Sequence, residues 1–212
     1  MTGASLRTLV AAIVAAGAAG ATLGLAFPLL ALNLDDWGVS EAAIGLFTLS
    51  AALSTLAMTP FAAPLLRRFG ARPVMAAGLL AVVGAFVGYP LAPDYGVWMG
   101  LRGLAGAGFT LVFVASEALI LHHAPVARRG LVVGVYASTI AGSMAVGGVV
   151  VRQLGHTGPE ACWVGAALAA AGALALALPG PGLAPSDAAE ARPQALFGRI
   201  WAAPLLMAAP LT

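Results

Sequence analysis

Lysine is absent from this chain, cysteine occurs once, and charge of either sign is scarce: ten arginines and eight acidic residues in 212 positions. Charged residues make up 8% of the chain, against about 25% in an ordinary soluble domain. A soluble domain must cover its surface with polar side chains, and eighteen charges do not cover a chain of this length. The single Cys162 excludes an internal disulfide and a cysteine-rich metal site; it reads as a small apolar residue near a helix end. His122 and His123 fall at an interface and His156 in a loop, none with partners at metal-ligand spacing, so neither metal nor cofactor is expected. Without lysine there is no Gly-x4-Gly-Lys phosphate loop and hence no ATP-driven pump in this chain. The net charge of +2 is not gathered into a basic face, which excludes a nucleic-acid partner. No Ser–His pair or His/Cys/Asp cluster falls inside an apolar run, so the chain is not expected to be an enzyme.

What is abundant is apolar surface. Hydrophobic residues are 61% of the chain and the mean hydropathy is +0.98, which excludes disorder. A membrane-crossing helix needs about 20 apolar residues. Six runs qualify: Leu9–Leu32, Ala42–Leu66, Val74–Leu91, Val97–Leu121, Leu131–Val151 and Cys162–Leu178. They do not alternate as outer-membrane strands would. The first is too long for a cleaved leader, and Asn33-Leu34-Asp35 is no cleavage site. The expected organisation is an all-α integral membrane protein: a six-helix bundle over 6–178, a Pro/Gly-rich linker over 179–195, and at 196–212 the start of a seventh helix, weakened by Pro204 and Pro210.

Arginine placement orients the chain. Arg7, Arg67, Arg68, Arg72, Arg128, Arg129, Arg192 and Arg199 all fall on one side if six spans alternate. Asp35, Asp36, Glu41, Asp94 and Glu160 fall on the other, with Arg152. Cytoplasmic loops are enriched in arginine, which predicts a cytoplasmic N-terminus.

Polarity inside the spans has a rhythm of three. Span two carries Thr48, Ser50, Ser54, Thr55 and Thr59; span five carries Tyr136, Ser138, Thr139 and Ser143. Spans three and six hold almost only Ala, Val, Leu and Gly. This suggests two inverted three-helix repeats, with spans three and six facing lipid and the others facing a polar interior or a partner domain. Gly103, Ala107 and Ser116, and Gly134, Ser138 and Gly142, are small enough to let helices approach closely.

Arg102 is the one basic residue within a span. Such an arginine costs about 2.5–3.5 kcal/mol on the insertion scale and faces an interior or a watery cavity, unless it snorkels to the headgroups. Glu117 lies on nearly the same helix face, about 22 Å away along the axis, too far to pair. Gly106, Thr110 and Phe113 lie between them. Arg102, Thr110 and Thr22 are the candidate residues of a substrate or proton path.

Two stretches resemble signatures of the major facilitator superfamily. Ala63-Pro64-Leu65-Leu66-Arg67-Arg68-Phe69-Gly70-Ala71-Arg72 resembles G-x-L-x-D-R-x-G-R-R: Leu65, Arg68, Gly70 and Arg72 match, while Arg67 holds the acidic position. Arg102-Gly103-Leu104-Ala105-Gly106-Ala107-Gly108 resembles R-x-x-Q-G-x-G, with Ala105 in place of Gln. Leu23-Gly24 to Pro28-Leu29-Leu30 in span one is family-like as well. In span five Gly147-Gly148 is present, but Ser143-Met144 stands where the antiporter signature has Gly-Pro. The resemblance implies two six-helix bundles around a midplane site and rocking-bundle alternating access, with this chain as the N-terminal bundle. It also implies a cytoplasmic gate network of Glu117, Arg129, Arg68, Arg72 and the turn at Gly70, in which Glu117 pairs with Arg129, Arg68 or Arg72; proton coupling is the other role open to Glu117. The expected function is secondary active transport of a small molecule, by an exporter or a proton-coupled carrier, in a bacterial inner membrane. The expected partners are the bilayer, the small-molecule substrate, and either a C-terminal six-helix half or a second copy. A non-transporting membrane scaffold or receptor is the alternative.

Overall fold

In a bilayer each backbone N–H and C=O must be satisfied within its own segment, and every apolar run accordingly forms a helix. The computed structural model describes residues 3–177; the linker and seventh-helix expectations lie outside them. The helices are α1 (Gly3–Asp36), α2 (Glu41–Phe69), α3 (Ala71–Leu91), α4 (Tyr95–His123), α5 (Arg129–Leu154) and α6 (Glu160–Ala175), with a short 3-10 turn at Val126–Arg128. The first five are long and apolar enough to cross a membrane, and α6 is apolar but shorter over its described course.

Local chemistry sets the ends. Asp94 caps α4 by accepting from the Val97 N–H at 3.0 Å, and Ser40 caps α2 through the Ala43 N–H. Only Gly70 separates α2 from α3. Its φ of 83° is left-handed, which favours glycine, and its N–H closes α2 on the Leu66 carbonyl at 2.9 Å.

α1 and α4 form the centre. α1 packs against α5 and α6, α4 packs against α3 and α2, the two central helices touch, and α3 packs on α6. Exchanging α1 with α4, α2 with α5 and α3 with α6 maps these contacts onto one another, as two inverted three-helix repeats require.

The expectation that spans three and six face lipid is corrected. Val74, Met75, Leu79, Val82, Phe86 and Tyr89 of α3 are buried, as are Cys162, Gly165, Ala169 and Gly172 of α6. Only an outer edge, with Leu80, Leu91, Trp163 and Leu174, is exposed. Their lack of polar groups gives smooth surfaces for close packing. A Cβ on Gly78 would stand 2.6 Å from the Gly108 carbonyl oxygen, and one on Gly165 would enter the Phe86 ring. α2 and α5 are the open helices instead. The buried residues of α2 are Phe47, Ala62 and Leu66, and those of α5 are Tyr136, Gly147 and Val151. Gly134 and Gly142, expected to receive a neighbouring helix, face open space.

At the end bearing the acidic residues, Asn33 Nδ2 donates to the His156 carbonyl at 2.7 Å, and His156 Nε2 meets Asp36 Oδ2 at 2.9 Å. At the arginine-bearing end, the Ser116 and Tyr136 hydroxyls join α4 to α5 at 2.8 Å.

The tightest crossing is α1 on α5. A Cβ on Gly24 would overlap the Met144 backbone, and one on Gly147 the backbone of Ala21 and Leu25. Gly147→Leu is expected to lower stability by roughly 1–3 kcal/mol or more, the ordinary cost of overpacking. Gly142→Ala should leave stability unchanged or raise it by up to about 1 kcal/mol. Unfolding midpoints in detergent micelles measure both; equal midpoints for the two variants would contradict this packing.

Candidate functional site

On α4, residues three and four apart share a face. Arg102, Gly106, Phe109, Thr110 and Phe113 use that spacing to floor a cavity of about 430 Å³, with Leu23 and Phe27 of α1 and Thr48, Thr55 and Thr59 of α2 as walls. Gly106 brings the walls together: a Cβ there would stand 2.9 Å from the Ala51 carbonyl oxygen of α2. A second hollow follows Gly130, Gly134 and Ser138 along α5. It is lined by one helix alone and is surface relief left by small residues.

Arg102 is only 3% exposed. Its guanidinium lies over the Phe27 ring at 5.3 Å and near the Phe47 ring at 5.9 Å, while its Nε has no hydrogen-bond partner. The Tyr89 hydroxyl of α3 lies beside it, also without a well-formed hydrogen bond. Each ring contact offsets about 0.5–2 kcal/mol of the burial cost, and neither neutralises the charge. The side chain is held inside the bundle; it does not snorkel to the headgroups.

Thr110 lines the cavity but spends its hydroxyl proton on the Gly106 carbonyl at 2.9 Å. Thr48 donates to Ile44 at 3.1 Å and Thr59 to Thr55 at 2.7 Å in the same way. These hydroxyls keep only acceptor lone pairs for the cavity. Thr22, expected in the path, requires a correction. It is fully buried and turns towards α6, donating to Ala18 at 2.9 Å and reaching the Gly165 carbonyl at 3.4 Å.

The gate residues are placed as follows. Gly70 makes the turn already described. The Arg68 guanidinium lies over Phe69 at 5.2 Å. Arg129 Nη2 donates to the Leu121 carbonyl at 3.1 Å, satisfying the end of α4. Arg72 is half-buried. Glu117 is exposed and forms no ion pair with a described residue, so the expected pairing with Arg129, Arg68 or Arg72 is not made. The reason is geometric: Glu117 continues the cavity face one turn beyond Phe113, whereas Arg129 folds back onto the last turn of α4.

With this geometry in view, the comparison with known families is decisive. The family model for the Major Facilitator Superfamily matches residues 9–211. The chain belongs to this superfamily. No curated protein shows a significant match to it. Superfamily membership makes the chain a transporter domain embedded in a membrane. It fits the paired repeats and gives the cavity along α4 its functional context. Sequence reasoning missed Phe27, Phe47 and Tyr89 as neighbours of Arg102. They come from three other helices, and no spacing within one segment signals such a convergence.

Cysteine accessibility tests the cavity. In a Cys162→Ser background, Thr48→Cys and Thr55→Cys should react readily with a water-soluble methanethiosulfonate, and Thr22→Cys should react at least tenfold more slowly. Equal rates at the three positions would contradict the assignment of Thr22 to the α1–α6 contact.

Proposed function

We propose that this chain is one bundle of a secondary active transporter that moves a small molecule by alternating access, with its N-terminus in the cytoplasm of a bacterial inner membrane. The observation that carries the reading is the cavity on α4, with a buried guanidinium in its floor and a threonine-lined wall on α2. The openness of α2 and α5 supports it further. A bundle with two unburied helices is suited to work against a second six-helix bundle, either a C-terminal half or a second copy of the same chain. The second copy would also have a cytoplasmic N-terminus and would be parallel, the relation expected between the two halves of such a transporter. Export or proton coupling completes the reading, with Arg102 and Thr110 on the path and Glu117 near the cytoplasmic end. The arginines of the α2–α3 and α4–α5 connections support the orientation.

Flux in proteoliposomes tests the function, with the second bundle supplied by a co-expressed C-terminal six-helix half or by a copy crosslinked at Ser138→Cys. Saturable flux of a substrate from a chemically mixed panel is expected. Arg102→Ala should lower it at least tenfold while the protein still inserts, and Arg102→Lys should restore it in part, since lysine lacks the planar multi-donor head. Wild-type flux in Arg102→Ala would remove Arg102 from the path; no flux from either assembly would favour a non-transporting receptor or scaffold.

Orientation has its own test. A cysteine at Arg72, in the Cys162→Ser background, should resist an impermeant thiol reagent applied to intact cells and react once the membrane is opened. Labelling from outside would reverse the topology.

A further inference from the structure

The cavity is floored by one buried cation, and no acidic residue lines it. Arg102 is 3% exposed, lines the cavity, and has an Nε with no partner. Of the eight acidic residues, Glu117 alone lies within a span, and it sits about 22 Å along α4 from Arg102. No carboxylate among the described residues is within ion-pair distance of the guanidinium. Phe27 and Phe47 lie against the cation and the Tyr89 hydroxyl lies beside it, and none of the three is a carboxylate. A buried guanidinium without an anion is incomplete, because burial of a charge is tolerated when it is paired and hydrogen-bonded.

The rest of the lining narrows what completes it. Of the four lining threonines, Thr48, Thr59 and Thr110 have already spent their protons on their own helices, which leaves the single hydroxyl of Thr55. They offer no array of donors of the kind a polyhydroxylated ligand or a multiply charged phosphate requires. Leu23, Phe109 and Phe113 supply apolar and aromatic surface, and the volume of about 430 Å³ admits a drug-sized body. A cationic ligand would meet a like charge at Arg102 with no carboxylate in the lining to offset it, since Glu117 lies a turn beyond Phe113. We infer that the cavity binds an amphipathic monoanion, with its carboxylate or sulfonate on the Arg102 guanidinium in a planar, two-bonded arrangement and its aromatic or aliphatic body against Phe109 and Phe113. This inference rests on the transporter reading and names its substrate class.

Three probes with a shared body test it: 2-naphthoate, 2-naphthylmethanol and 2-naphthylmethylammonium. Each is bound to the 212-residue chain in phosphatidylcholine nanodiscs by equilibrium dialysis, with empty nanodiscs correcting for partition. Saturable binding of naphthoate at least tenfold tighter than of the alcohol or the ammonium is expected. Arg102→Gln should reduce naphthoate affinity at least tenfold and abolish its preference over the alcohol, with saturable binding of the alcohol still measurable. Arg102→Lys should fall between. Equal or tighter binding of the ammonium, naphthoate affinity indifferent to Arg102→Gln, or no saturable binding of any probe overturns the inference. Repeating the measurement with phosphatidylglycerol in the disc separates two sources of the anion. Competitive loss of naphthoate binding assigns a bilayer lipid as its source, undiminished binding assigns an aqueous organic acid, and both support the site. The readout is binding, so the two readings fail separately. Anion preference without flux sinks the transporter reading alone, and flux by a protein with no anion preference sinks this inference alone.

Discussion

Lipid tails are as apolar as leucine, so burying leucine between two membrane helices gains little over leaving it in the bilayer; what remains is van der Waals contact and the occasional interhelical hydrogen bond. That constraint makes backbone approach the currency of this fold. At the α1–α5 crossing, Gly24 and Gly147 leave no room for a methyl group against the opposing backbone, and Gly78 and Gly108 do the same between α3 and α4. The high glycine content, which would weaken soluble helices, is here the means by which six helices make contact. The hydroxyl pair Ser116–Tyr136 and the Asn33–His156 bond add fixed points near opposite ends of the bundle.

The two repeats do not use this device equally, and the cavity follows from the difference. α5 meets α1 at glycines on both helices, whereas α2 meets α4 at Gly103 and Gly106 against Ser54 and Ala51, with no glycine on the α2 side. The α2–α4 contact is therefore looser, and the space left beside it falls on the face that carries Arg102, Thr110 and Phe113. The most polar wall of that space is α2, the helix least covered by its own bundle.

Much of this organisation is written in local patterns. Run lengths mark the six helices, the arginine alternation groups their ends, and the spacing of Arg102, Gly106, Thr110 and Phe113 on one helix shows their shared face, since periodicity within a segment is a one-dimensional signal. What depends on pairing between segments is not written there. The polar poverty of α3 and α6 reads equally as lipid exposure or as smooth packing, and only the contacts of Gly78 and Gly165 decide for packing. Thr22 looks like a path residue because threonine is polar, yet its hydroxyl is absorbed by α1 and α6. Glu117 and Arg129 have complementary charges in adjacent helices, but Arg129 is nearer to an unsatisfied carbonyl at the end of α4 than to the carboxylate.

Arg102 ties these features together, because each of its neighbours comes from a different helix: Phe27 from α1, Phe47 from α2 and Tyr89 from α3. An aromatic face attracts a cation only within about 6 Å, and Phe47 at 5.9 Å is already at that limit. A small displacement of α2 from α4 removes one of the two rings that hold the charge, and a displacement of α1 removes the other. The guanidinium is thus sensitive to the relative placement of the helices that wall the cavity, and an anion bound to it gains most when those helices are apart. A ligand that favours one arrangement over another shifts the balance by its difference in affinity, and an anion bound as proposed would draw such a difference from a single buried charge.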